Sequence, residues 1–151
     1  MQTKSRTAQR AADLMASSYH CSEAIFIAVG EEYVPELSEP MIKMSTPFAG
    51  GIGGTHQDLC GAFTGGLMVI GALHGRADLV NDDDCQKLAA DFRFAFLERF
   101  GSLTCSDLRQ GACGQLTKDA ALLLMEMLDG FAGEKIYSPA IWQGSKFFHH
   151  Q

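Results

Sequence analysis

Apolar residues recur at intervals of three and four along most of this chain, the pattern of amphipathic helices. Between Arg6 and Ser18 the positions Ala8, Ala11, Ala12, Met15 and Ala16 mark one helical face. The run from Cys21 to Gly30 is apolar nearly all round, which predicts a central helix ending close to Gly30, with Pro35 and Pro40 in the loop beyond it. Met41 to Thr46 predicts another turn or two of helix before Pro47. Ala49-Gly-Gly-Ile-Gly-Gly-Thr55 is too rich in glycine for a regular element and reads as a tight loop. From Asp58 to His74 a strand over Leu67 to Ile70 is an alternative, but the small residues Gly61, Gly65 and Ala72 keep a helical spacing that lets a neighbouring helix come close. Helix is therefore the expectation, although each glycine costs about 1 kcal/mol of helix propensity relative to alanine, which packing must offset.

Asn81 is a suitable N-cap, the acidic run Asp82 to Asp84 complements the positive end of a helix dipole, and Leu88, Ala89, Phe92, Phe96 and Leu97 carry a helical face to Gly101. An irregular stretch then carries Cys105 and Cys113. Leu116 to Leu128 predicts a last long helix stopped near Gly130. The tail, with Pro139, Trp142, Phe147 and Phe148, is aromatic without a clear period, and is a candidate surface for packing on the body or for a homodimer. Met15, Met68, Met125 and Met127 fall on core faces. The fold class that follows is all-α: a compact bundle of about five to six helices, with a glycine-rich loop before the Cys60 helix, in a single domain over residues 1–151.

Composition narrows the function. A net charge of -6 argues against nucleic acid or an anionic membrane as partner, because either would repel the chain. No apolar stretch approaches the ~20 residues that span a bilayer, so no membrane insertion is expected. The N-terminus runs into an amphipathic pattern rather than a signal-peptide core, which makes the cytoplasm the expected compartment.

Five cysteines are present, an odd number in a chain longer than most disulfide scaffolds, so thiols, ligands or transient disulfides are expected. Any one of them, taken alone, is as well explained as a small buried apolar residue. Cys60 has the strongest local case for chemistry. It stands where the glycine loop enters a helix, and unpaired N–H groups and the helix dipole there favour thiolate. Gly61 and Ala62 leave room beside it for a partner sulfur, a cofactor or another backbone. Cys21 opens the preceding helix in a similar setting, and Cys113 sits just ahead of the last one. No C-x-x-C pair occurs, which removes the thioredoxin motif, the zinc ribbon and haem attachment. His20 and His56, near Cys21 and Cys60 in sequence, keep a mixed cysteine and histidine metal site open, whereas His149 and His150 end the tail. The glycine loop lacks the Lys-Ser/Thr of a phosphate-binding loop; its better use is to aim the backbone of Gly51, Gly53 and Gly54, together with Gly61, at a thiolate or at the sulfurs of a cluster.

Taken in order, Cys21-Ser-Glu-Ala, Phe48-Ala-Gly-Gly-Ile-Gly-Gly, Cys60-Gly-Ala-Phe-Thr-Gly-Gly-Leu-Met, Phe100-Gly-Ser-Leu-Thr-Cys105 and Cys113-Gly-Gln-Leu-Thr-Lys-Asp-Ala-Ala resemble the redox-active family labelled C_GCAxxG_C_C, over about Tyr19 to Leu128. The resemblance implies a helical domain whose four characteristic cysteines are Cys21, Cys60, Cys105 and Cys113, and it leaves Cys85 outside the pattern. It also implies a link to the cysteine domain of split-Soret cytochromes, where an iron-sulfur centre is associated with that domain. Three functions remain open. The four cysteines could be the metal ligands of an iron-sulfur cluster in a redox or electron-transfer protein. Alternatively, Cys60 and Cys21 could be catalytic thiols that trade a disulfide, with a redox partner protein or a small thiol as partner. The third reading is a non-catalytic zinc-binding or helical interaction module.

Overall fold

The computed structural model describes residues 1–133, and the aromatic tail, with the dimer surface expected of it, lies outside them. Seven α-helices follow one another among the described residues: α1 (Gln2–Ala16), α2 (Cys21–Tyr33), α3 (Glu39–Ser45), α4 (Gly61–His74), α5 (Asp83–Phe100), α6 (Cys105–Leu108) and α7 (Cys113–Gly133). A 3-10 turn, Thr46–Phe48, continues α3. The only extended pairing among these residues is an isolated antiparallel bridge between Leu59 and Thr104. The all-α expectation holds, and its departures are local. The bundle has one helix more than the five or six expected, because α6 is too short to show a period. The last helix begins at Cys113 rather than Leu116 and runs through Gly130, since its buried face, with Leu123, Leu124, Met125, Met127 and Leu128, carries the helix past one unfavourable glycine. Asp82, not Asn81, is the N-cap of α5; Asn81, one residue before the N-cap, accepts the Asp83 N–H through its side chain at 2.7 Å.

Helix α2 is central because Ala24 through Gly30 are all buried, as an element apolar on every side must be. It packs against α1, α4 and α7, while α5 closes the far side of α4. Between α4 and α5 an aromatic cluster fills the core. Phe63 stacks on Phe92 with ring centroids 5.5 Å apart, and Phe96 meets both rings.

Two glycines make the α2–α4 crossing, and a third the α4–α5 contact. A Cβ on Gly65 would stand 2.5 Å from the Ser22 carbonyl oxygen, and one on Gly66 would stand 2.6 Å from the Phe92 ring. Gly61 meets α2 at its first turn, so the stripe of small residues does seat a neighbouring helix. Ala72, counted in that stripe from the sequence, is exposed instead. Hydroxyl groups tie the segment around the 3-10 turn to the same crossing: buried Ser22 donates to the Ser45 carbonyl at 2.7 Å, and Thr64 donates to the Phe48 carbonyl at 3.1 Å. These contacts hold Ala49 against the start of α4, and with it the entry to the glycine loop.

Candidate redox site

Each of the four family cysteines heads a helix. Cys21 is the first residue of α2, Cys60 the N-cap of α4, Cys105 the first residue of α6 and Cys113 the first of α7. Local chemistry fixes these starts. The Glu23 carboxylate accepts the His20 N–H at 2.8 Å, which makes His20 the N-cap of α2. Cys60 and Cys105 are set by the lone bridge: the Cys60 N–H donates to the Leu103 carbonyl at 2.7 Å and the Cys105 N–H to the Asp58 carbonyl at 2.9 Å. The backbone just before α4 is thereby stitched to the backbone just before α6.

The thiols influence one another. The charges of Cys21 and Cys105 act on Cys60, and those of Cys21 and Cys113 act on Cys105, so all four belong to one electrostatic neighbourhood. Cys60 and Cys105 are buried, and Cys21 and Cys113 half-buried. Cys85 stands apart, in the first turn of α5, where burial and then Asp82 push its thiol up. All five are free thiols. Among the described residues no three histidine, cysteine, aspartate or glutamate side chains gather as a group able to hold a metal ion.

One expectation from the helix ends is reversed. Backbone N–H groups of Ala62 and Phe63 do favour the Cys60 thiolate, but burial dominates, and the neighbouring thiols add to it, pushing Cys60 up to about 11. Cys105 moves in the same direction, again first by burial and then by Cys21 and Cys113, with Arg109 opposing. Burial at Cys60 thus works against the thiolate that its helix-start N–H groups favour.

The glycines divide into two kinds. A Cβ on Gly61 would stand 2.2 Å from the Cys21 sulfur and 3.1 Å from both Ala49 Cα and the Ser22 nitrogen, so only glycine leaves Cys21 room beside Cys60. Buried Gly51 plays the same part for Cys105, whose Cβ would lie 2.9 Å from a Cβ there. Gly53 and Gly54 are different. Both are exposed, a Cβ on either would meet nothing within 4 Å, and their N–H groups donate to the carbonyls of Pro47 and Ala49. The expectation that they aim N–H groups at the site is not met. They are needed for the path of the chain, since five successive residues, Gly50 to Gly54, have φ between 58° and 72°.

His56 is the neighbour that the sequence undervalued: its Nδ1 lies 3.4 Å from the Cys105 sulfur. Sequence offered it only as one member of a mixed ligand set, although its place directly after the glycine loop and four residues before Cys60 was a usable signal. The one-turn α6 was likewise missed, despite Thr104 and Asp107 standing three apart as at a helix start.

Among the described residues no helix is long and apolar enough to cross a membrane. No curated protein and no solved structure matches the chain. The model of the family described as "Putative redox-active protein (C_GCAxxG_C_C)" matches residues 19–127, a span that takes in the heads of α2, α4, α6 and α7 with all four coupled cysteines, and the chain belongs to that family.

Proposed function

We propose that Cys21, Cys60, Cys105 and Cys113 form one redox site that holds an iron-sulfur cluster and passes electrons to and from a partner protein. The observation that carries this is a shared setting: each of the four cysteines heads a helix, Cys60 feels Cys21 and Cys105, Cys105 feels Cys21 and Cys113, and glycine stands at Gly61 and Gly51, where a side chain would collide with the Cys21 sulfur or the Cys105 Cβ. A donor set made of thiols alone suits soft metals and iron-sulfur clusters. A zinc ion needs all its donors ~2.0–2.3 Å from one point. In a cluster each thiolate meets its own share of a larger body, which tolerates sulfurs that stand apart. The cluster would supply one-electron chemistry; the chain supplies thiolates, N–H groups from the start of α4, and a buried setting that limits water around Cys60 and Cys105.

Anaerobic reconstitution with iron and sulfide tests the reading. Wild-type protein and a Cys85→Ser variant are expected to gain visible charge-transfer absorbance and a stoichiometric iron and sulfide content, and Cys60→Ala and Cys105→Ala to lose both. A colourless wild-type product would refute the cluster. A second reading, thiol–disulfide exchange with a partner protein or small thiol, is favoured by one contact, the Cys21 sulfur lying against the residue that follows Cys60. It requires the free-thiol count to fall by two on mild oxidation and to stay constant in Cys21→Ala.

A further inference from the structure

The first two glycines of the loop converge on His56. A Cβ on Gly51 would stand 2.8 Å from both Cα and C of His56, and one on Gly50 would stand 3.6 Å from Cε1 of its ring. His56 itself has φ 62°, a left-handed conformation that residues other than glycine adopt seldom. It is held there by its N–H, which donates to the Gly50 carbonyl at 2.8 Å. From the opposite side the Cys105 N–H is anchored on the Asp58 carbonyl at 2.9 Å, and the Asp58 N–H closes on the Gly51 carbonyl at 3.3 Å. Both partners are therefore fixed through backbone, and the outcome is a half-buried imidazole with Nδ1 3.4 Å from the sulfur of buried Cys105. A sulfur atom accepts a hydrogen bond at that distance.

We propose that His56 is a positioning residue for Cys105, whose sulfur accepts a hydrogen bond from the Nδ1–H of His56. A donor on a sulfur draws electron density from it and stabilises the more negative state of whatever redox group that sulfur serves, which raises the reduction potential. Only this effect on the potential rests on the redox reading above; the hydrogen bond itself stands without it.

Two variants separate the side chain from the unusual backbone. His56→Asn keeps an N–H donor the same number of bonds from Cα and tolerates left-handed φ, whereas His56→Gly tolerates the backbone and has no donor. In reduced, metal-free, full-length protein with nitrogen-labelled histidine, NMR should find the His56 ring protonated at Nδ1 in its neutral form, with a slowly exchanging ring proton that is lost in Cys105→Ala. In the reconstituted protein, or in the thiol–disulfide couple if no cluster assembles, the midpoint potential should shift to a more negative value in His56→Gly and return most of the way in His56→Asn. A neutral ring protonated at Nε2, a ring signal indifferent to Cys105→Ala, or a His56→Gly potential equal to wild type would each overturn the proposal. A failed reconstitution counts against the cluster alone, since the ring proton is read without it.

Discussion

Gly61→Ala adds one methyl group at the first residue of α4 and should separate the site from the fold. The new Cβ would lie 2.2 Å from the Cys21 sulfur, where ordinary contact begins at 3.4 Å, so the sulfur must retreat by roughly 1 Å or more. It can, because it ends a short side chain that is only half-buried. The two other contacts, 3.1 Å to Ala49 Cα and to the Ser22 nitrogen, are backbone and must yield by a few tenths of an ångström. Overpacking of this kind costs about 1–3 kcal/mol, and part of the ~1 kcal/mol by which alanine outranks glycine in a helix offsets it. The expected net loss is ~0–2 kcal/mol, well inside the stability of an ordinary domain. A redox site is less forgiving, since a ligand or reacting thiol misplaced by about 1 Å is enough to disable it. Thermal denaturation followed by circular dichroism should therefore show a folded protein with a modestly lowered Tm, while reconstitution yields little iron and little visible absorbance. Wild-type iron content in Gly61→Ala would refute the reasoning, and so would loss of the folded state at room temperature.

The next two glycines tested in α4 should behave in opposite ways. Gly65→Ala puts a Cβ 2.5 Å from the Ser22 carbonyl, a backbone atom of α2 that cannot rotate aside, and should lower stability by about 1–3 kcal/mol in chemical denaturation. Gly71→Ala meets nothing within 4 Å and should raise stability by up to about 1 kcal/mol. At the other end of the bundle, hydrogen bonds from Lys4 first and Tyr33 second hold Asp129 below the usual carboxylate range. A folded-state value below the unfolded one adds stability that is complete above the unfolded value of about 4 and is lost as pH falls through the folded one, so Asp129→Asn should flatten that acid limb. The side chain is 44% exposed, which keeps the effect to some tenths of a kcal/mol. Cys113→Ser and Cys85→Ser should differ in kind: the first heads α7 within reach of Cys105 and should impair the redox site, the second should leave the reconstituted spectrum unchanged.

The helices were legible where burial imposed a period. Leu88, Phe92 and Phe96 announced α5, and the unbroken apolar run after Cys21 announced a central helix, because each is a direct imprint of the core. Ends were less legible, since they depend on single contacts, such as the bridge that starts α6 or the leucine and methionine face that carries α7 past Gly130. In the site, the identity of the four cysteines could be read, and so could the need for small residues beside Cys60. The ionisation of Cys60 could not, because a helix start advertises the N–H groups that lower it while saying nothing of the burial that raises it further. The glycine loop shows the same limit. Sequence treats Gly51 and Gly53 alike, and only the neighbours distinguish a glycine that makes room for Cys105 from one that merely turns the chain.

The site and the core of this protein are not separable parts. Gly61 makes room for the Cys21 sulfur, and Gly65, one turn on, makes room for the Ser22 carbonyl, so one face of α4 seats both the thiol and the helix that carries it. Ser22 adjoins Cys21 and is tied to Ser45, whose own hydroxyl donates to the Ile42 carbonyl at 2.6 Å; the thiol is thus braced from α3 as well as from α4. A cysteine on a free loop could find a metal or a partner thiol by moving toward it. Cys21 and Cys60 are presented by helix starts whose crossing is set by glycine-to-backbone contacts, which limits how far either sulfur can move. On the electron-transfer reading proposed above, a framework that limits reorganisation between oxidised and reduced states would lower the barrier, which is a physical reason to build the thiols onto a bundle rather than onto its loops.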